Sequence, residues 1–183
     1  FKQAGIADGL LSVLHLDHQQ TASVIQDRRI AHVNFTGSVA GGRAVQQAAR
    51  DRFISLGLEL GGKDPAYVRA DADVPRTAEA LVDGSFFNSG QSCCGIERIY
   101  ADAAVYDDLI DAMRQVTGQY ILGNPLDAET TLGPMVRPSA ARFVRQQISE
   151  AEMAGASSLI NIGDFPADDP TTAYMAPQIL VNV

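Results

Sequence analysis

The chain has 183 residues, 46% of them hydrophobic, enough for the core of one large domain or two small ones and too apolar for a disordered segment. Its 14 Lys and Arg against 22 Asp and Glu give a net charge of -8, the wrong sign for a protein whose main partner is nucleic acid or an anionic membrane. No apolar run approaches a membrane span and the first residues lack the basic-then-apolar pattern of a signal peptide, while Cys93 and Cys94 are adjacent and poorly placed to pair with each other, so a reducing, cytoplasmic setting without disulfides is expected.

The chain starts at Phe1 and ends on the strand-like Ile179-Leu-Val-Asn-Val183, so it is expected to be a piece of a longer polypeptide. After a turn signal at Ala7-Asp-Gly9, Leu10-Leu-Ser-Val-Leu14 reads as a short buried strand. His15-Leu-Asp-His18 follows. Two His and an Asp within four residues are candidate metal ligands, but no second cluster with zinc-like spacing accompanies them and a strand-end loop carries such residues equally; no metal is assigned. Helical character runs from Gln20 to Gln26, and Ile30-Ala-His-Val-Asn-Phe35 reads as the next strand, apolar enough for a sheet covered on both faces.

Thr36-Gly-Ser-Val-Ala-Gly-Gly-Arg43 then leads into an Ala-rich helix from Arg43 to Arg50. Strand, Gly/Ser turn and helix is the arrangement that aims free N–H groups at a phosphate. Gly37 and Gly42 are five apart, which is not the usual dinucleotide fingerprint, so a helix-capping turn and a phosphate site both remain open. Phe53 to Leu60 reads as a strand ending in Leu58-Glu-Leu-Gly-Gly-Lys-Asp-Pro65. Glu59, between two leucines, is a candidate general base, since apolar surroundings favour a carboxyl group that takes up a proton; a surface Glu beside a turn is the alternative.

Ala66 to Arg69 reads as a strand, Asp71-Ala-Asp73 as a helix cap, and Pro75 to Phe87 as a helix with Pro in its first turn. Asn88-Ser-Gly90 is a small, turn-prone run, followed by Gln91-Ser-Cys-Cys94 and a strand at Arg98 to Ala101. A thiol at such a junction has backbone N–H groups free to stabilise a thiolate, or an oxyanion formed when it attacks a carbonyl. Two small hydrophobes in a core are the alternative. Val105, Leu109, Ile110 and Met113 share one helix face. Gly123-Asn-Pro125 and Gly133-Pro134 bracket an irregular segment, and Pro138 to Met153 reads as a long helix with Phe143, Val144, Ile148 and Met153 inward. Leu159 to Ile162 reads as a strand, Gly163 to Thr172 as an exposed acidic loop, and Ile179 to Val183 as the last strand. Alternating strands and helices predict an α/β fold with mostly parallel sheets and flanking helices.

Three segments occur in order: Phe35-Thr-Gly-Ser38, Leu58-Glu-Leu-Gly-Gly-Lys63 and Phe86-Phe-Asn-Ser-Gly-Gln-Ser-Cys93. Together they resemble the motifs of the aldehyde dehydrogenase superfamily. The interval from Glu59 to Cys93, Arg98, Asp71-Ala-Asp73, Gly123-Asn-Pro125 and Gly133-Pro134 fit the same pattern, so the resemblance covers essentially the whole chain. It implies parts of two Rossmann-like layers, with 1–60 the C-terminal part of an NAD(P)-binding domain and 61–183 part of a catalytic thiol domain. It also implies oxidation of an aldehyde to a carboxylic acid with NAD or NADP. Cys93 is then the nucleophile, passing through a thiohemiacetal and a thioester, Glu59 activates the hydrolytic water, and the backbone N–H of Cys93 helps hold the oxyanion. Gly37, Ser38, Val39, Ala40, Gly41 and Gly42 would line the cofactor pyrophosphate, with Ser38 as a side-chain donor, and the Leu60 backbone would touch the nicotinamide amide. The oxyanion Asn, the ribose-binding Glu and the residues choosing between NAD and NADP would lie outside this chain. His15-Leu-Asp-His18 departs from the Pro/Gly-rich loop of relatives. The expected partners are a small aldehyde and further copies of the protein in a dimer or tetramer. The alternatives are a relative that passes the acyl group to coenzyme A, which generally lacks the glutamate, and an inactive fragment or interaction module.

Overall fold

Polar and half-buried residues alternate along His32–Thr36 (β1), and in the computed structural model this strand pairs in parallel with Ser55–Glu59 (β2). The structure describes residues 1–183, apart from the side chain of Lys2. Val33, Phe35, Leu56 and Leu58 share one face, packed against Ile25 of helix α1 (His18–Gln26) and against Val45 and Ala49 of helix α2 (Val39–Ala49). His32, Asn34 and Thr36 project from the other face and are exposed. Parallel strands need a crossover, and α2 supplies it. Arg52 ties the connections together, donating at 2.7 Å to each of the Ile25 and Ile30 carbonyls. These elements belong to one compact unit, Phe1–Gly61.

The second unit, Gly62–Val183, repeats the device. Strand β3 (Asp64–Val68) pairs in parallel with β4 (Ile96–Ala101), and helix α3 (Val74–Phe86) crosses between them. The Asp73 side chain accepts from the Arg76 N–H at 3.3 Å, which caps α3. Helix α4 (Tyr106–Thr117) lies on α3, and Val68, Ala78, Leu81, Val82, Leu109 and Met113 form the core between sheet and helices. A second cluster, Leu122, Leu132, Ile160, Phe165 and Ala176, is joined to the first through Phe86 and Tyr120. Their rings meet edge to face at 6.2 Å, and burial, with Asp83 nearby, pushes the Tyr120 hydroxyl pKa up. Helix α5 (Pro138–Met153) and a short antiparallel pair, β5 (Ser157–Ser158) with β6 (Leu180–Val181), complete the unit. Among the described residues no helix is long and apolar enough to cross a membrane.

The α/β class with parallel pairs and flanking helices is as expected, and several local expectations are not met. Leu10 to Leu14 is no strand: Leu10, Leu11, Val13 and Leu14 are exposed, and among the described residues no strand pairs with them, so the segment has apolar content without the ladder that a strand requires. Of His15 to His18, Asp17 is spent on capping α1. Its carboxylate accepts from the Gln20 N–H at 2.7 Å while the Gln20 side chain accepts from the Asp17 N–H at 3.0 Å. Leu159 to Ile162 is not a strand either. The Leu159 N–H still reaches the Ile179 carbonyl at 3.0 Å and is shared with the Gln178 side chain, which beyond that point replaces backbone pairing by accepting from the Ile160 N–H and donating to the Ile160 carbonyl. Along α5, Phe143 and Met153 are exposed; the covered face runs through Ala141, Val144, Arg145 and Ile148, three to four residues apart.

The acidic loop after Gly163 is anchored rather than wholly exposed. Phe165 is buried, and Asp168 accepts from Arg145 at 2.9 Å and from the Ala176 N–H at 2.7 Å. Arg145 also donates to the Tyr174 carbonyl. The Asp168 side chain is only 8% exposed, so its removal strands a largely buried guanidinium. Asp168→Ala is therefore expected to lower stability by about 3 kcal/mol, read as a shift in the chemical denaturation midpoint of the intact protein; a loss below about 1 kcal/mol, the value of a surface pair, would contradict the anchoring role.

Candidate active site

In the first unit, parallel register places the two strand exits together. Thr36 lies opposite Glu59, and the Gly37 N–H donates to the Glu59 carbonyl at 2.9 Å. The Thr-Gly-Ser and Leu-Glu-Leu-Gly-Gly segments are thus neighbours at one sheet edge. Helix α2 begins at Val39 rather than at Arg43, so the expected turn shrinks to Gly37 and Ser38. Ser38 is the N-cap, its Oγ accepting from the Gly41 N–H at 3.1 Å, and Gly42 N–H bonds to the Ser38 carbonyl. This leaves the Val39 and Ala40 N–H groups, at the exposed start of the helix, without a partner among the described residues.

Gly41 and Gly42 sit inside the first turn of α2 and serve close packing. A Cβ on Gly41 would lie 2.5 Å from the tip of the Phe35 ring, and one on Gly42 would lie 2.6 Å from the Leu60 side chain. Gly37 also faces the Phe35 ring, at 2.7 Å from where its Cβ would be. Leu60 is half-buried, with its side chain against the helix, and Glu59 is exposed, so its leucine neighbours do not cover it.

Cys93 belongs to the second unit, where Ser92 to Gly95 forms a turn closed by Gly95 N–H to the Ser92 carbonyl at 3.2 Å. Cys93 and Cys94 occupy its centre and both are exposed, which removes the reading of two thiols buried in a core. The Cys94 sulfur lies 3.2 Å from the Ser92 hydroxyl. Among the described residues the Cys93 sulfur has no such partner, and the Cys93 N–H makes no hydrogen bond. An exposed thiol beside free N–H donors is equipped to attack a carbonyl carbon and to hold the resulting oxyanion.

The parallel register of β3 and β4 also sets their entries side by side. A Cβ on Gly62 would come within 3.0 Å of the Cys93 carbonyl oxygen, and Lys63 forms an ion pair with Glu97. The supports of the thiol loop are legible only in the fold: the Ser89 hydroxyl donates to the Gly133 carbonyl at 2.8 Å, and the Gln91 side chain accepts from the Val136 N–H at 2.6 Å. The sequence marks Asn88 to Gly90 and Gly133-Pro134 as turns, but carries no local signal that the two segments touch.

The sequence profile of the aldehyde dehydrogenase family matches residues 1–183. The chain belongs to that family. A protein of Schizosaccharomyces pombe described as a probable betaine aldehyde dehydrogenase is 30% identical over 183 residues, 100% of this chain and 36% of that protein. Among solved structures, succinate-semialdehyde dehydrogenase from Burkholderia pseudomallei matches with a TM-score of 0.91 at 27% identity, over 100% of this chain and 37% of the other. Succinic semialdehyde dehydrogenase from Streptococcus pyogenes, in complex with NADP+ as the cofactor, matches with a TM-score of 0.89 at 30% identity, over 98% and 39%. The chain thus spans somewhat more than a third of the length of these relatives.

The glycines of α2 give a direct test of the packing beneath the Gly37–Ser38 turn. Gly41→Ala forces the Phe35 ring aside and is expected to cost about 1–3 kcal/mol, measured by chemical denaturation. A neutral substitution would show that the ring swings freely and that the helix start is not held by it.

Proposed function

We propose that this protein oxidises an aldehyde to a carboxylic acid with NAD or NADP, using Cys93 as nucleophile and Glu59 as the base for hydrolysis. The observation that carries the reading is the exposed Cys93 in a turn, its N–H without a partner among the described residues, within a chain of the aldehyde dehydrogenase family. In the first step the Cys93 sulfur bonds to the carbonyl carbon, and the C=O electron pair moves to oxygen, where the Cys93 N–H donates to it. Loss of hydride from that carbon restores the C=O bond and leaves a thioester on Cys93. Glu59 then takes a proton from water, the resulting hydroxide adds to the thioester carbon, and the C–S bond breaks to release the acid and the thiolate.

The residues at the start of α2 fit the diphosphate of a dinucleotide. The N–H groups of Val39 and Ala40, without a partner among the described residues, and the positive end of an eleven-residue helix offer donors to an anion. The Ser38 hydroxyl, whose oxygen already accepts from Gly41, keeps its own proton to donate. Gly37, lacking a side chain, leaves the approach open, Gly41 and Gly42 let the helix close onto the strands, and the Leu60 backbone is assigned to the nicotinamide amide. NAD or NADP, when bound, supplies the hydride acceptor. In this reading residues 1–60 contribute to the cofactor domain, residues 61–183 to the thiol domain, and the protein assembles as a homo-oligomer in the cytoplasm.

The test is kinetic. Cys93→Ala is expected to abolish aldehyde-dependent nicotinamide reduction in the intact protein, and Cys94→Ala to retain it. Glu59→Gln is expected to keep a near-normal first-turnover burst of reduced nicotinamide and to slow steady turnover by about 10²–10⁴-fold. Equal loss of burst and turnover would remove Glu59 from the role of base, and turnover that requires coenzyme A and yields acyl-coenzyme A in place of the acid would show a thiol instead of water as the acyl acceptor.

A further inference from the structure

The loop that delivers Cys93 is held in an uncommon conformation. Asn88, Ser89 and Gly90 have φ of 51°, 57° and 71°, three successive residues in the left-handed region, two of them with side chains. That region costs roughly 1–2 kcal/mol for each residue with a side chain, so the loop persists only where its surroundings over-determine it. The sharp reversal aims the following Gln91-Ser92-Cys93 segment, and one residue separates Gln91 from the thiol.

Gln91 is bonded on both sides of this problem. Its Nε2 donates to the Asn88 carbonyl at 3.0 Å, the Gln91 N–H donates to the same oxygen at 3.1 Å, and the Asn88 side chain donates back to the Gln91 carbonyl at 3.2 Å. Its Oε1 accepts from the Val136 N–H at 2.6 Å. One side-chain amide therefore closes the left-handed loop on itself and fastens it to a segment 45 residues away. The Ser89 hydroxyl makes a parallel attachment to Gly133.

We infer that Gln91 is a positioning residue for Cys93: by fastening the Asn88–Gly90 loop to Val136 it fixes the turn whose free N–H faces the oxygen of the group being attacked. It touches no reacting atom. The inference rests on the proposed role of Cys93 as nucleophile, and two reactions that need neither aldehyde nor cofactor test it separately. Acyl transfer from p-nitrophenyl acetate forms the Cys93 S–C bond and expels p-nitrophenolate, and it depends on oxyanion stabilisation. Alkylation by iodoacetamide forms an S–C bond with loss of iodide and makes no oxyanion.

Both rates are to be followed at Cys93 by peptide mass spectrometry in the intact protein carrying Cys94→Ala. Gln91→Ala is expected to slow acylation by roughly ten- to a hundredfold while alkylation changes far less, and Gln91→Glu, which keeps an acceptor for the Val136 N–H, is expected to recover most of the acylation rate. If Gln91→Ala is too unstable to assay, Gln91→Met fills the same space without either bond and carries the same expectation. Acylation and alkylation falling together, or neither falling in a folded variant, would overturn the inference. Failure of the ester to acylate Cys93 in the protein with Gln91 intact would overturn the nucleophile reading as well, whereas a normal ester reaction in Gln91→Ala counts against the positioning role alone.

Discussion

In a parallel strand pair the two chain entries lie side by side at one edge and the two exits at the other, and this chain uses that constraint twice. Between β1 and β2 it sets the exits together, so the Gly37–Ser38 turn is bonded to the carbonyl of Glu59. Between β3 and β4 it sets the entries together, so Gly62 comes against the backbone of Cys93 and Lys63 pairs with Glu97. Segments that carry the candidate chemistry are far apart in sequence and adjacent through register. A crossover helix, α2 in one unit and α3 in the other, is what makes the parallel pairing possible.

The close approaches depend on what is missing at particular positions. Gly41 and Gly42 bring α2 onto Phe35 and Leu60, and Gly62 lets the entry to β3 pass beside the thiol turn. Each glycine is thus a packing feature next to a candidate site. The left-handed Asn88–Gly90 loop works in the opposite sense: it is strained locally and kept by bonds from Ser89 and Gln91 to Gly133 and Val136. The candidate nucleophile is displayed by packing and hydrogen bonding together.

Much of the architecture was legible in the sequence because it is written locally. Asp73 before Pro75, and Val105, Leu109 and Met113 on one face, fix α3 and α4 through caps and period. The Thr-Gly-Ser, Leu-Glu-Leu-Gly-Gly and Gly-Gln-x-Cys segments marked the candidate site. What the sequence did not reveal depends on partners distant along the chain. Leu10 to Leu14 has strand composition and no strand beside it among the described residues, and the Gln178 side chain takes over from backbone pairing at Ile160. Asp168, in a stretch that reads as solvated and acidic, is buried by an arginine on α5. Gln91 reads as one more polar residue until Val136 is seen to donate to it.

The most direct measurement is rapid-quench mass spectrometry of the intact protein in its first turnover with an aldehyde and NAD or NADP, using Glu59→Gln to let the acyl form accumulate. The expected result is a mass increase equal to the acyl group, localised by fragmentation to the sulfur of Cys93. Product formation with Cys93 unmodified throughout, or with the acyl group on Cys94, would contradict the role given to Cys93.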